Sequence, residues 1–256
     1  MIRRPPRSTQ GVSSAASDVY KRQHLNYAKI VGVWLFDEAS GKIVNDASGN
    51  GLEGEIVGAV KWSKGKFGTA LAFDGGNVTI PHQDSMDLTQ FTITAWIKVP
   101  KIVNPYQMIA GKEAWPDRNY SMWIRPGIMT FGFTTPGAAQ DIQVASKEVT
   151  DDKWHFVAGS YDKKTLTPYV DGEKLGTRVA EPKPTTNKAP LMIGAQPPKG
   201  GGPLKGMIDE VAVYDTALDE KEIQSIMNGL AEKFKFVIDH DGKLATEWAK
   251  IKKLTP

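Results

Sequence analysis

The chain has 256 residues, 40% of them hydrophobic, with no cysteine and a formal net charge of +3. That length and apolar content fill one large sandwich domain. The absence of cysteine excludes disulfides and thiolate metal sites but leaves the compartment open, since a bacterial extracellular protein of this size need not carry disulfides. The longest apolar run, Ile30 to Phe36, falls far short of the roughly 20 residues that a membrane helix needs, so no membrane span is expected.

Residues 1–23 have neither hydrophobic periodicity nor the apolar region of a signal peptide. The string resembles translated sequencing-adapter read-through of the kind found in metagenomic gene sequences, and it is expected to be non-native and disordered, with any export signal lost upstream. Arg3, Arg4, Arg7, Lys21 and Arg22 against Asp18 give it a net charge of +4, which leaves the rest of the chain at −1. A nucleic-acid partner, which would need a basic stripe on the folded body, loses its support.

From there on, short strand-like runs follow one another at about 31–36, 55–60, 69–73, 91–99, 119–125, 128–133, 154–161, 165–170, 174–179, 191–195 and 207–214. The clearest is 91–99, where Phe91, Ile93, Ala95, Ile97 and Val99 share one parity and Thr92, Thr94, Trp96 and Lys98 the other. Many short strands separated by turns predict an all-β, two-sheet antiparallel sandwich over residues 24–229. Asp171-Gly172 suits the positive φ angles of a tight hairpin and pairs 165–170 with 174–179.

One helix is predicted after the last strand. Asp219 is its N-cap, Glu222 completes a capping box, Leu218 staples to Ile223, and Gly229 stops it. Ile223, Ile226 and Met227 share one face, so the helix is expected to seal an edge or end of the sandwich. The extension 230–256 carries Leu244, Trp248 and Ile251 at amphipathic helical spacing, and the stretches around Pro182–Pro184 and Pro197–Pro203 read as exposed loops.

Several segments match one known family: Trp34-Leu35-Phe36-Asp37-Glu38, Asp46-Ala47-Ser48-Gly49-Asn50-Gly51, Phe73-Asp74-Gly75, Phe91 to Ile97, Lys153 to Asp162 with Tyr169-Val170-Asp171-Gly172, and Gly206 to Tyr214. In this order they resemble the laminin G-like jelly roll of the concanavalin A-like lectin and glucanase superfamily, over roughly residues 30–229. The resemblance implies a jelly-roll fold and an extracellular or cell-envelope location. It also implies a binding or adhesion module for a glycan or a cell-surface protein more readily than an enzyme. A module of a larger envelope protein, partnered by other domains of a longer chain, is a further reading.

Asp209 has the parity of Met207, Val211 and Val213, so if those valines face the core the carboxylate goes inward with them. Such a charge needs a cation, backbone amides or a raised pKa, and calcium, which takes six to eight oxygens, suits several chain segments meeting at a sandwich edge. The resemblance implies a structural calcium held by the side chains of Asp37 and Asp209 and the carbonyl of Gly75. The alternative is a salt bridge at Asp209 and a turn at Asp37. Asp46 to Gly51 reads as a turn, Asp239-His240-Asp241-Gly242 lacks the twelfth-position Glu of an EF-hand, and four scattered histidines make no zinc pair.

The glucanases of this superfamily carry Glu-x-Asp-x-x-Glu on one strand, and that spacing is nowhere in the chain; Glu53 and Glu55 are its nearest approach. No catalytic residue is expected. For ligand contact the candidates are Tyr106, Trp115 and Tyr120, which cluster in sequence with Trp123 around a polar loop. Trp115, beside a proline, is the expected exposed member, while Trp96, Trp123 and Trp154 read as strand residues belonging to the core.

Overall fold

Period-two alternation along the chain resolves into two stacked antiparallel sheets. The computed structural model describes residues 29–101, 106–137, 142–180, 183–196 and 201–230. The segment 1–23, His24 and His240, and the amphipathic stretch Leu244–Ile251 lie outside the described residues.

The first strands are Ile30–Trp34 (β1), Ile43–Val44 (β2), Gly54–Val57 (β3), Val60–Lys64 (β4), Thr69–Asp74 (β5), Asn77–Ile80 (β6) and Phe91–Lys98 (β7). Next come Gln107–Ala114 (β8), Asp117–Ile124 (β9), Ile128–Phe133 (β10), Ile142–Glu148 (β11) and Trp154–Tyr161 (β12). The last are Thr165–Val170 (β13), Glu173–Lys174 (β14), Arg178–Val179 (β15), Leu191–Ile193 (β16) and Lys205–Tyr214 (β17), followed by the helix Glu220–Ile226 (α1).

The first sheet runs β14-β13-β12-β7-β17-β5-β4, with β1 against β17 and β15 against β13; the second runs β11-β10-β9-β8-β16-β6-β3-β2. This is the expected all-β sandwich with a short C-terminal helix. The predicted strand 55–60 is broken at Gly58, which has φ +77, into β3 and β4. The predicted pairing across Asp171-Gly172 is present: both residues have positive φ, Val170 faces Glu173, and Thr165 faces Val179.

The main core lies between the sheets. Phe91, Ile93, Ala95 and Ile97 point into it from β7, and the Phe91 ring meets Tyr120 at 5.4 Å, Tyr161 at 5.5 Å and Phe131 at 5.8 Å. Trp96, on the opposite parity, joins Ile30, Val33, Phe156, Ala158 and Tyr214 in a second cluster on the outer face of the first sheet. Helix α1 closes that cluster with Ile223 and Ile226, helped by Leu218 before it and Leu230 after it. The helix therefore covers a sheet face, a larger role than sealing an edge or end.

The capping box that starts α1 is complete. Asp219 Oδ1 accepts from the Glu222 N–H at 2.9 Å and Glu222 Oε2 accepts from the Asp219 N–H at 2.8 Å. Because α1 has only seven residues, packing rather than helix propensity must hold it. Truncation Ile226→Ala should lower stability by about 2–3 kcal/mol in chemical denaturation. A loss below about 0.5 kcal/mol would mean that α1 is not docked on the sheet.

Candidate functional site

Asp209 is fully buried, but not on the side that simple alternation predicts. It pairs with Trp96 while Ala212 pairs with Thr94, so Glu210 and Val211 together oppose one residue in a β-bulge. Glu210 takes the left-handed conformation with φ +45. The bulge returns Val211 and Val213 to the main core and leaves Asp209 on the outer side, with Trp96.

There it meets the loop between β4 and β5. Asp209 Oδ2 accepts from the Phe67 N–H at 3.0 Å, and Asp37 Oδ1, at the end of the first-strand segment, accepts from the Thr69 N–H at 3.3 Å. Two glycines make this approach possible. A side-chain carbon on Gly68 would collide with Asp37 Oδ1, and one on Gly65 would stand 2.6 Å from Asp209 Oδ2 and 2.7 Å from the carbonyl oxygens of Phe67 and Thr69. Three oxygens thus converge on one point, with Asp37 at the same loop.

Asp209 Oδ1 is buried without a hydrogen-bond partner. Burial pushes the Asp209 carboxyl up to about 7; the N–H of Phe67 pulls it down, and the charge of Glu210 adds to the rise. Among the described residues, the hydrogen bonds of Asp37 and Asp209 come from the backbone N–H groups of Thr69 and Phe67. The donor set of two carboxylates and neighbouring carbonyls is the oxygen chemistry that calcium takes.

Gly75 is not brought to this pair. Its neighbour Asp74 pairs with Lys205, four positions from Asp209, which is about 13 Å along a strand. The left-handed Gly75, with φ +98, instead turns β5 into β6. The carbonyls that crowd the same point as Asp209 Oδ2 come from the loop of Gly65 and Gly68.

The aromatic candidates separate by strand parity. Tyr120 shares the inward side of β9 with Met122 and Ile124; it is fully buried, and burial raises its hydroxyl above the ordinary phenol value. Facing the core, it is not a surface contact, which corrects the sequence expectation for this residue. Trp115 is 63% exposed in the turn between β8 and β9. Tyr106 is half-buried, with its ring 6.4 Å from that of Trp123.

Trp115 and Trp123 flank one guanidinium. Arg118 Cζ lies 5.9 Å from the centre of the Trp115 ring and 4.6 Å from that of Trp123. Beneath them Glu113, fully buried, accepts from Arg118 Nε, from Arg118 Nη2 at 3.3 Å, from Ser121 Oγ at 2.6 Å and from Gln196 Nε2. Four donors on one carboxylate hold this part of the second sheet in one arrangement. The Trp123 indole N–H is buried without an acceptor.

Other acidic groups have structural partners. Asp46 clamps its turn, accepting from the N–H groups of Val33, Ser48 and Leu52 at 2.9–3.1 Å. His82, Asp84 and Asp87 bring their ligand atoms within 4.8 Å of one another, yet Lys188 and Lys112 already sit 2.7 Å from Asp84 and Asp87. His155 lies between Asp151 and Asp171 at 2.9 and 2.8 Å. Glu55 is exposed on β3.

No helix among the described residues is long and apolar enough to cross a membrane. No curated protein matches the chain in sequence. Among solved structures, the chain is similar to the binding domain of Paraclostridial Mosquitocidal Protein 1, with a TM-score of 0.67 and 15% identity over 79% of this chain and 52% of that one. It is similar to domain 4 of AbnA, a GH43 extracellular arabinanase from Geobacillus stearothermophilus, in complex with arabinotriose, with a TM-score of 0.61 and 19% identity over 77% of this chain and 98% of that one. A third is the binding domain of Botulinum Neurotoxin DC in complex with SialylT, with a TM-score of 0.61 and 16% identity over 82% of this chain and 53% of that one. At these identities the likeness is one of fold, and the chain spans about half the length of the two toxin domains. The laminin G-like family model of the concanavalin A-like lectin/glucanases superfamily matches residues 73–224, more than half of the chain, and on that match, together with its two stacked antiparallel sheets, the protein belongs to that superfamily.

Proposed function

We propose that this protein is a non-catalytic binding module for a glycan or a glycan-bearing cell-surface ligand, working outside the cell and stabilised by a structural calcium ion. The observation that carries the binding reading is Trp115, a large aromatic that is 63% exposed beside a guanidinium shared with Trp123. An exposed indole offers the flat apolar surface on which a sugar ring stacks, and neighbouring polar groups supply direction. Tyr106, half-buried nearby, is the second candidate contact. The structurally similar domains in complex with arabinotriose and with SialylT support a saccharide as the first ligand class to test.

The cation reading rests on Asp37, Asp209 and the carbonyls of Phe67 and Thr69. Calcium there would neutralise a buried carboxylate and tie three chain segments together; these residues position the ion and have no part in bond making. The absence of the Glu-x-Asp-x-x-Glu spacing supports a module without turnover.

The test is a glycan array with arabinotriose and SialylT included, followed by titration of the best hit. Trp115→Ala should weaken that hit by about tenfold or more, which corresponds to about 1.4 kcal/mol, while the melting temperature stays unchanged because the side chain is exposed. If affinity survives the substitution, the β8–β9 turn is not the ligand surface.

A further inference from the structure

The residues beside the acidic pair hold a second group of atoms. Phe67, whose N–H is bound by Asp209, turns its ring edge-on to Trp96 at 5.9 Å, and a side-chain carbon at Gly229 would stand 3.5 Å from that ring. Glu210, next to Asp209, accepts from the Leu230 N–H through Oε2 at 2.8 Å. Leu230 is itself buried in the outer cluster under α1. Lys66, on the same loop, lays its ammonium over Trp96 at 4.4 Å. Of the two immediate neighbours of the Asp209 carboxylate, Phe67 thus lies beside Gly229 and Glu210 holds Leu230, the residues that follow the C-cap of α1 at Met227.

Building on the calcium site proposed above, we infer that cation occupancy controls the anchoring of Gly229 and Leu230, and with it the attachment of α1's C-terminal end to the sheet. A cation held by Asp37 and Asp209 would reinforce the bonds these carboxylates make to the Gly65–Thr69 loop and so steady Phe67 against Trp96. It also offsets the repulsion between the adjacent acids Asp209 and Glu210, so that the left-handed backbone of Glu210 persists and its carboxylate stays on the Leu230 N–H. Without the cation the charges of the two adjacent buried acids are less compensated. The loop then relaxes, and the contacts made by Phe67 and Glu210 weaken together. The two ends of this coupling share a strand and a loop, so no longer path is needed.

Hydrogen exchange on the full chain, with calcium or with EDTA, tests this. Removing calcium should speed exchange in peptides covering 223–230 by about tenfold or more, while β12 and β13 remain unchanged. Glu210→Gln should still bind calcium by calorimetry, but exchange at Leu230 should no longer respond to it. If calcium binds and exchange over 223–230 is the same in both conditions, the coupling is wrong and the cation site stands. If calorimetry detects no calcium binding, the cation site is wrong and the coupling falls with it.

Discussion

In calcium the domain should melt well above its melting point in EDTA, and Asp209→Asn should remove the difference. A ligand that binds only the folded state adds about 4 kcal/mol at a thousandfold excess over its dissociation constant, which for a domain of this size corresponds to a rise of roughly 8–16 °C. The chelated protein should also respond to pH in a direction unusual for a carboxylate. The Asp209 carboxyl is pushed up to about 7 by burial, whereas in the unfolded chain it titrates near the ordinary value of about 3.9. The folded state thus keeps a proton that the unfolded state has lost, and stability falls as pH rises through that window, by on the order of a few kcal/mol. Denaturant titrations in EDTA at pH 4 and pH 8 measure it. Equal stability at the two values would show that Asp209 is solvated, and an unchanged melting point in calcium would remove the ion from the site.

Glu113→Ala should be the most damaging single change on the second sheet. It strips the carboxylate partner from a buried guanidinium and leaves Ser121 Oγ and Gln196 Nε2 without the acceptor they share. Breaking a buried pair from one side costs about 3–5 kcal/mol, because the remaining charge has already lost its water. Saccharide binding should fall as well, since Arg118 would no longer be fixed between Trp115 and Trp123. Glu113→Gln, which keeps the shape and a carbonyl acceptor, should cost less. Denaturation midpoints of the two variants give the comparison; a cost below about 1 kcal/mol for the alanine variant would mean that water replaces the carboxylate freely.

Local chemistry made much of this fold readable in advance. Phe91 to Val99 announces a strand by parity, Asp171-Gly172 a tight turn by its φ preference, and Asp219 with Glu222 the start of α1 by reciprocal capping. What escaped depends on relations between strands. The bulge at Glu210 is a mismatch between β17 and β7, and no pattern within β17 reveals that Asp209 switches sides there. Gly75 enters the expected calcium set through the family resemblance alone, and the β5–β17 register, which carries it away from Asp209, is fixed only when the strands pair. Proximity in the chain groups Tyr120 with Trp115, whereas parity along β9 sends it inward. Strand β8 is hidden in the sequence because register shifts at Met108/Ala110 and Lys112/Glu113 interrupt its alternation and because Gln107, Lys112 and Glu113 are buried there despite being polar.

A last consequence lies in how β1 and the residues after α1 are held. Ile30 pairs with Tyr214 and shares a cluster with Leu230, so both segments rest on a single apolar patch. Loosening that patch should release the two together, because they draw on the same buried contacts.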